Sequence, residues 1–432
     1  MNDTSPKRYA HALIRHFIIF SLFLPAFYSE YNNAFYQDIF LSNILAAFFV
    51  INILMHWKLD FRQNTVCTIL LTLTLLLYNT ASIMNYHLNK DLVSWKSYQV
   101  NVTIAFLFFL VLLLLKDSLC IVSDNVIRLI IRVCLLHNLT GFIFRFLGYS
   151  RIQMMNLEFE MFEINPANKY FSWLYLEASE YALLLLLEIA FFIVYKKHFK
   201  NMATYVLSQG VLIIGLFLTK STTFLLAAAI MLGCQLIQYL IEHYKVSKKY
   251  VSLSIPLFTV LGIAFFWILF ARIDTFHTKF LIWKGHWNML LEDPVGLGTT
   301  FGPLKYYVPN VDTPINQAHN IFLNHMLRYS LPVGIFYTAM FLIIIVFSIL
   351  KKPNYLTVGL WIGLLIPMNM NYSLQTLNLP LALFMIYCIF FHKETHPFVK
   401  CKPDQNCTHT NIQKRSIPPE LEILDLDVTD ID

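Results

Sequence analysis

The sequence predicts an all-α polytopic membrane protein of about twelve transmembrane helices, with one large external loop between the ninth and tenth spans. Three observations predict it. Hydrophobic residues make up 57% of the 432 and charged residues 13%, where a soluble domain is about one quarter charged. Apolar runs of roughly 17 to 22 residues recur, each long enough for a hydrocarbon core of ~30 Å. Lys and Arg gather between alternate runs, as cytoplasmic loops require. The net charge of +6 therefore reports topology and not a nucleic-acid partner. A soluble enzyme is excluded as well, because polar helix faces between the apolar ones are missing.

The elements follow in order. A first span, about 14–30, comes after Lys7, Arg8 and Arg15 and runs outward. No small-residue cleavage site follows it, so the N-terminus is expected to stay inside. Spans at about 38–56, 65–85, 98–115 and 126–147 follow, with inner marks at Lys58, Arg62 and Lys116. Arg145 falls near the outer end of the fifth, and an acidic outer loop covers 149–173. The sixth span, about 174–195, runs into Lys196, Lys197 and Lys200. The seventh and eighth, about 203–219 and 222–242, meet in a tight outer turn at Lys220 to Thr223, and the ninth, about 251–270, leads out. After the external loop, spans at about 331–350, 355–372 and 376–391 return the chain to a cytoplasmic tail. The expected organisation is thus a membrane domain over 1–391, with its external loop at 271–330, and a disordered tail over 392–432. None of the seven cysteines falls in a loop placed outside, so a disulfide framework is not expected.

The polar stretch from Arg272 to Gly334 is where aqueous chemistry can concentrate. Phe276, Phe280, Trp283, Trp287, Leu290 and Leu291 recur at spacings of three and four, which makes one helical stripe. Asp274 or Thr275 caps its start, and Asp293-Pro294 ends it. This helix is too polar to span and is expected to lie at the membrane surface with its tryptophans in the interface. Lys279, Trp283 and His286 share a face. The turn with Pro294, Gly296 and Gly298 lets chain or ligand approach closely. Taken singly, these residues have plainer readings. Lys279 reads as a solvated loop lysine, Trp283 and Trp287 as interface anchors, and His319 as a capping or hydrogen-bonded residue. Periodicity and charge alone name no reaction.

The ordered set Lys279, Trp283, Pro294, Gly296, Gly298, His319-Asn320 and Gly334 resembles the signature of the O-antigen ligase and polymerase superfamily. Two shorter stretches favour the polymerase branch: Glu177-Ala178-Ser179-Glu180 is similar to a Glu-Pro-Ser motif, and Lys220-Ser221-Thr222-Thr223 to a Ser-Thr-Thr turn. The resemblance implies a GT-C-like fold in the bacterial inner membrane and inverting, metal-independent transfer of a glycan from an undecaprenyl diphosphate carrier to a sugar hydroxyl at the periplasmic face. It implies no cofactor and leaves open a chain-length-regulating partner. No Asp-x-Asp pattern stands in an external loop to hold a divalent ion. Lys279, Arg272, Lys220 and Arg145 are then the cations for the diphosphate. His319, at an ordinary histidine pKa near ~6.5, is expected to activate the acceptor hydroxyl. Glu177 orients the acceptor or a cation, or forms a structural pair with Glu180. Trp283, Trp287 and Asn320 contact glycan or interface. Lys279 stands where arginine is usual, which argues against bidentate phosphate binding there. A ligase and a lipid-linked oligosaccharide transporter are the other readings.

Overall fold

The computed structural model describes residues 5–23, 27–31, 34–37, 41–56, 59–62, 64–88, 95–115, 122–155, 158–165, 170–175, 178–244, 250, 274–295, 318–370 and 379–392. The expected ninth span, the tail beyond His392, and Glu177, Arg272, Gly296 and Gly298 lie outside the described residues. The described chain is mostly helical, with thirteen α-helices. They are α1 (Ser5–Phe23), α2 (Leu41–His56), α3 (Thr65–Leu88), α4 (Trp95–Leu114), α5 (Asp124–Phe146), α6 (Ala178–Val194) and α7 (Met202–Thr219). Then come α8 (Thr222–His243), α9 (Asp274–Glu292), α10 (Ile321–Tyr329), α11 (Leu331–Lys351), α12 (Tyr355–Met370) and α13 (Leu379–Ile386), the last continuing as a π-turn through Phe391.

Five of these, α3, α5, α7, α8 and α11, are long and apolar enough to cross a membrane. Shorter apolar helices cover Ala12–Phe23, Asn43–Met55, Gln99–Leu114, Tyr355–Met370 and Leu379–Phe391. The spanning candidates keep apolar side chains such as Leu76, Leu207 and Phe217 exposed, as helices that face hydrocarbon do. Helix α6 is different. From Tyr181 to Ile193 every residue is buried, so a helix apolar on all sides occupies the centre of the bundle. It packs against α7, α8, α12 and α13.

Close crossings need small residues. Gly359 and Gly363 of α12 stand one turn apart and face α8. A Cβ at Gly363 would lie 2.6 Å from the Met231 side chain and 3.1 Å from the Ala227 carbonyl. A Cβ at Gly359 would collide with Cys234. This small-xxx-small seam brings the two backbones together without a hydrophobic driving force. Gly334 does the same for α10 and α11, since a Cβ there would lie 2.7 Å from the Met326 backbone.

The all-α expectation needs correcting in one place. The chain carries a four-stranded sheet in the order β2-β1-β3-β4, built from β1 (Phe27–Tyr31), β2 (Ala34–Gln37), β3 (Tyr149–Met155) and β4 (Glu158–Glu163). The first helix starts earlier than expected and stops at Phe23, because the aromatic residues after it pair as a strand with β3. The outer loop at 149–173 is largely the β3–β4 hairpin.

The helices alternate in direction, and their ends sort by charge. At one end Lys351 Nζ lies 3.4 Å from Asn64 Oδ1 and 3.3 Å from the Phe391 carbonyl. His198 lies 3.9 Å from Asp124, and the Tyr195 hydroxyl donates to the Cys388 carbonyl at 2.7 Å. Lys196, Lys197, Lys200 and Lys352 belong to this basic end. The sheet lies at the other end, where α1 and α5 finish and α6 starts.

Gly363→Val should force α8 from α12 and destabilise the protein by about 2 kcal/mol, in the range for overpacking. Gly210→Ala, which meets nothing within 4 Å, should be neutral or stabilising by up to about 1 kcal/mol. Thermal unfolding of the purified variants in detergent checks the pair.

Candidate functional site

The site is built from α9, α10 and the turn between Ala318 and Asn320. Helix α9 forms where the stripe predicts it, and Asp293 ends it by accepting the Val295 N–H at 3.1 Å in an Asx turn. The next carbonyl, that of Pro294, accepts from Leu331 N at 2.9 Å and ties the end of α9 to the start of α11. Leu290 of α9 then packs on Ala318, Leu323 and Leu327, with Trp283 and Met326 at the edge, in a small core separate from the main one. Trp283 is therefore a docking residue as well as a groove wall.

The two long faces of α9 differ. Ile282, Gly285, His286 and Leu290 are buried, and Lys279 is half-buried beside them. Phe280, Trp287 and Leu291 are exposed. An exposed aromatic edge over a buried polar face is what a surface-lying helix presents. An open groove of about 430 Å³ follows the seam, a size that accommodates a small ligand or part of a larger one. Phe280, Trp283 and Trp287 face Phe322 and Met326 across it, and Asn320 and Lys284 are its polar groups.

Asn320 caps α10, its side-chain oxygen accepting from Leu323 N at 2.9 Å, while its amide donates to Asn369 of α12 at 3.0 Å. The one residue thus starts a helix and fastens the turn to the bundle. Ahead of it His319 takes a left-handed backbone (φ 53), uncommon for a residue with a side chain. The Ala318 N–H, bound by the buried Asn324 side chain at 2.7 Å, holds that turn. Its result is to place the imidazole near Lys279 and His286. Burial, then the Lys279 charge, then His286 push the His319 pKa down to about 3. The expectation of an ordinary histidine pKa is corrected here. His286 donates from Nδ1 to the Ile282 carbonyl at 2.7 Å, which leaves Nε2 as its acceptor, and burial pushes its pKa down to about 4. Burial also brings Lys279 down to about 8. The site holds two neutral imidazoles and a lysine that is easily discharged.

The remaining residues read from the sequence lie at the same end on neighbouring helices. Gly215 meets Leu185, and Gln209 donates to the Ile189 carbonyl, so antiparallel α6 and α7 put Glu180 level with Lys220. Lys220 is exposed, in a left-handed cap (φ 55) between α7 and α8. Glu180 stands half-buried in the first turn of α6, where the helix dipole favours an acid. Arg145, half-buried, ends α5 beside the sheet. The α8–α12 seam is also antiparallel and brings Asn369 level with the Lys220 turn. The structure thus joins Lys279, His319, Trp283, Trp287 and Asn320 in one place, and sets Arg145, Glu180 and Lys220 at that end on α5 to α8.

Sequence reasoning placed His286 on the Lys279 face by its i, i+7 spacing but gave it no role, and it passed over Asn369. Asn369 is a lone amide in an apolar helix, two residues after Pro367, and its polarity was the available signal.

Two outcomes follow from this geometry. Asn320→Ala should cost about 1 kcal/mol through the lost cap, read by thermal unfolding. The histidines give a pH dependence whose sign is fixed. The unfolded chain takes up protons near ~6.5, above the folded values of about 4 and about 3. Stability should therefore fall as pH drops from 6.5 toward 4, and His319→Gln should flatten that slope. No protein-family model matches the chain, and a search of curated proteins returns no match either.

Proposed function

We propose that the chain is an inverting glycosyltransferase that polymerises undecaprenyl-diphosphate-linked oligosaccharide repeat units at the periplasmic face of the bacterial inner membrane. In this reading it has about twelve spans in a GT-C-like arrangement, with both termini in the cytoplasm. The observation that carries the proposal is the convergence of Lys279 and His319 beside an open aromatic groove. A departing diphosphate needs a cation, an acceptor hydroxyl needs a proton acceptor, and a lipid-linked donor needs an apolar approach.

In this scheme the acceptor hydroxyl oxygen attacks the anomeric carbon on the face opposite the diphosphate. The bond between that carbon and the diphosphate oxygen breaks, and its electron pair leaves on the phosphate beside Lys279. The hydroxyl proton passes to the free nitrogen of His319. With the site empty, His319 is a weak base, but a bound anion raises the pKa of both groups. The donor therefore charges Lys279 fully and makes His319 a better base at the step that uses them. Arg145, Lys220 and Arg272 are the further cations of the proposal, and Glu177 orients the acceptor, with Glu180 beside it. Trp287 and Phe280 line the approach for glycan or carrier lipid.

Purified protein incubated with one lipid-linked repeat unit tests the reading. Chain growth supports it. Transfer only when lipid A core is supplied makes the chain a ligase, and no covalent product with retained binding makes it a transporter. His319→Ala should lower chain growth by about 10²–10⁴-fold, and full activity in that variant removes histidine from the scheme. Activity should survive a chelator, and loss rescued by magnesium sinks metal independence. Because Lys279 loses its charge as pH rises through about 8, donor affinity should weaken above that pH. Lys279→Arg should carry binding to higher pH, measured as KM for the donor against pH.

A further inference from the structure

The centre of the bundle holds a carboxyl group that the transfer scheme does not use. Glu188 lies ten residues into α6, about 15 Å from its first residue, and is fully buried. Its Oε2 accepts from the Asn138 amide at 2.7 Å. That amide also donates to the Cys134 carbonyl at 2.7 Å. A carbonyl can only accept, so the orientation of Asn138 is fixed, with Nδ2 toward Glu188. Its Oδ1 in turn accepts from the Tyr181 hydroxyl at 2.6 Å. The chain of donors therefore runs from Tyr181 through Asn138 to Oε2 and ends there. The other oxygen, Oε1, is buried without a hydrogen-bond partner among the described residues.

Among the described residues, no Lys or Arg is buried in the elements packed around Glu188. From α5 come Cys134, His137 and Asn138, and from α7 Tyr205 and Gln209. Helix α8 brings Cys234, the α13 segment Tyr387 and Cys388, and the buried face of α12 is uncharged, with Thr357 and the Trp361 indole as polar groups. One amide and one thiol cannot offset the desolvation of a carboxylate. A sodium ion is also poorly served. It needs several oxygens, and of the side chains named here only Glu188 Oε1 and the Gln209 side-chain oxygen lack a partner among the described residues, because Asn138 Oδ1 already takes the tyrosine proton. The ligand this geometry fits is a proton on Oε1.

The residue next to Asn138 supplies a second, independent observation. His137 is fully buried, and both of its ring nitrogens lack a hydrogen-bond partner among the described residues. Phe23, Trp173, Tyr175 and Tyr181 enclose the ring at centroid distances of 5.5–6.4 Å. Trp173 lies against Gly141, one turn nearer the sheet-bearing end, and its Nε1 is also buried without a partner. These unpartnered polar atoms lead from Glu188 toward that end.

We propose that Glu188 is a proton-binding site at the centre of the bundle, which carries its proton at neutral pH and exchanges it with solvent at the sheet-bearing end by way of His137. Oε1 and the imidazole share no hydrogen bond, so in this scheme an entering water takes the Oε1 proton and gives one of its own to an imidazole nitrogen, and the other ring nitrogen releases a proton to water. The reverse sequence restores both groups. The site is separate from Lys279 and His319 and does not depend on the glycan reading.

Infrared spectroscopy of the purified full-length protein tests this directly. The wild type should show a protonated-carboxyl C=O band at neutral pH that Glu188→Gln removes. In D2O that band should move to lower frequency, and His137→Phe should slow the movement about tenfold. Asn138→Ala, which deletes the donor and keeps the acid, should shift the band without removing it. This assigns the band even if the glutamine variant does not fold. Absence of the band means an ionised carboxylate and overturns the proposal. A band that never shifts in D2O overturns the exchange, and unchanged exchange in His137→Phe overturns the route.

Discussion

A bundle of apolar helices has no water with which to satisfy a stray polar group, so each such group must sit at an end or find its partner inside. The distribution of polar residues follows from that constraint. The lysines that close α6 and α11 gather at one end, where Lys351 and Lys352 bind the last carbonyls of the final described helical segment. Cations at helix C-termini also complement the helix dipole. The opposite end takes the sheet, the tight α7–α8 turn and the Asn320–Asn369 bond. Among the described residues, the second end combines a cation, imidazoles and an open aromatic groove.

That second place is assembled outside the main core. Helix α9 packs on α10 through a handful of side chains, so its position depends on short polar ties: Pro294 to Leu331, Asn320 to Asn369, and Asn324 to Ala318. Each tie joins the loop region to a helix of the bundle or to its own cap. A site held in this way keeps Lys279, His286 and His319 fixed relative to one another, while its aromatic edge of Phe280, Trp287 and Leu291 stays exposed. Gly334 is part of the same device. The tight elbow between α10 and α11 sets the angle at which His319 is delivered.

Much of this was legible in the sequence, and the gaps have physical causes. The tenth span, read as 331–350, is the helix Leu331–Lys351, and the eighth, read as 222–242, is Thr222–His243. The end of α9 at Asp293-Pro294 was read from the sequence, because caps and prolines act locally; the residues immediately before Asp274 lie outside the described ones. The sheet was not legible. Phe27 and Tyr28 read as the continuation of an apolar span, and the pairing that makes them a strand joins them to Met154 and Met155, far along the chain. The partners of His286, Asn369 and Glu188 are likewise set by helix packing. A lone acid within the apolar run from Leu183 to Ile193 was a visible sign, and it went unused. The depressed pKa of His319 was not readable either, since it arises from burial and from two neighbours that only folding supplies.

The buried ionisable groups share one chemical property that bears on the lysine at position 279. Among the described residues the fully buried ionisable side chains outside Tyr and Cys are Glu188, His137, His286, His325 and His392. Each has a neutral form that differs from its charged form by one proton. Arginine in proteins has no such form, and the described arginines are all exposed or half-buried. Lys279, half-buried beside two imidazoles, belongs with the first group. An arginine there would hold a permanent charge against His286 and His319 whether or not an anion was present, and its desolvation would be uncompensated in the empty site. A lysine can shed its proton while the site is empty and regain it when an anion arrives. A lysine at this position is thus consistent with what the described buried groups share: charge is admitted there where it can be withdrawn.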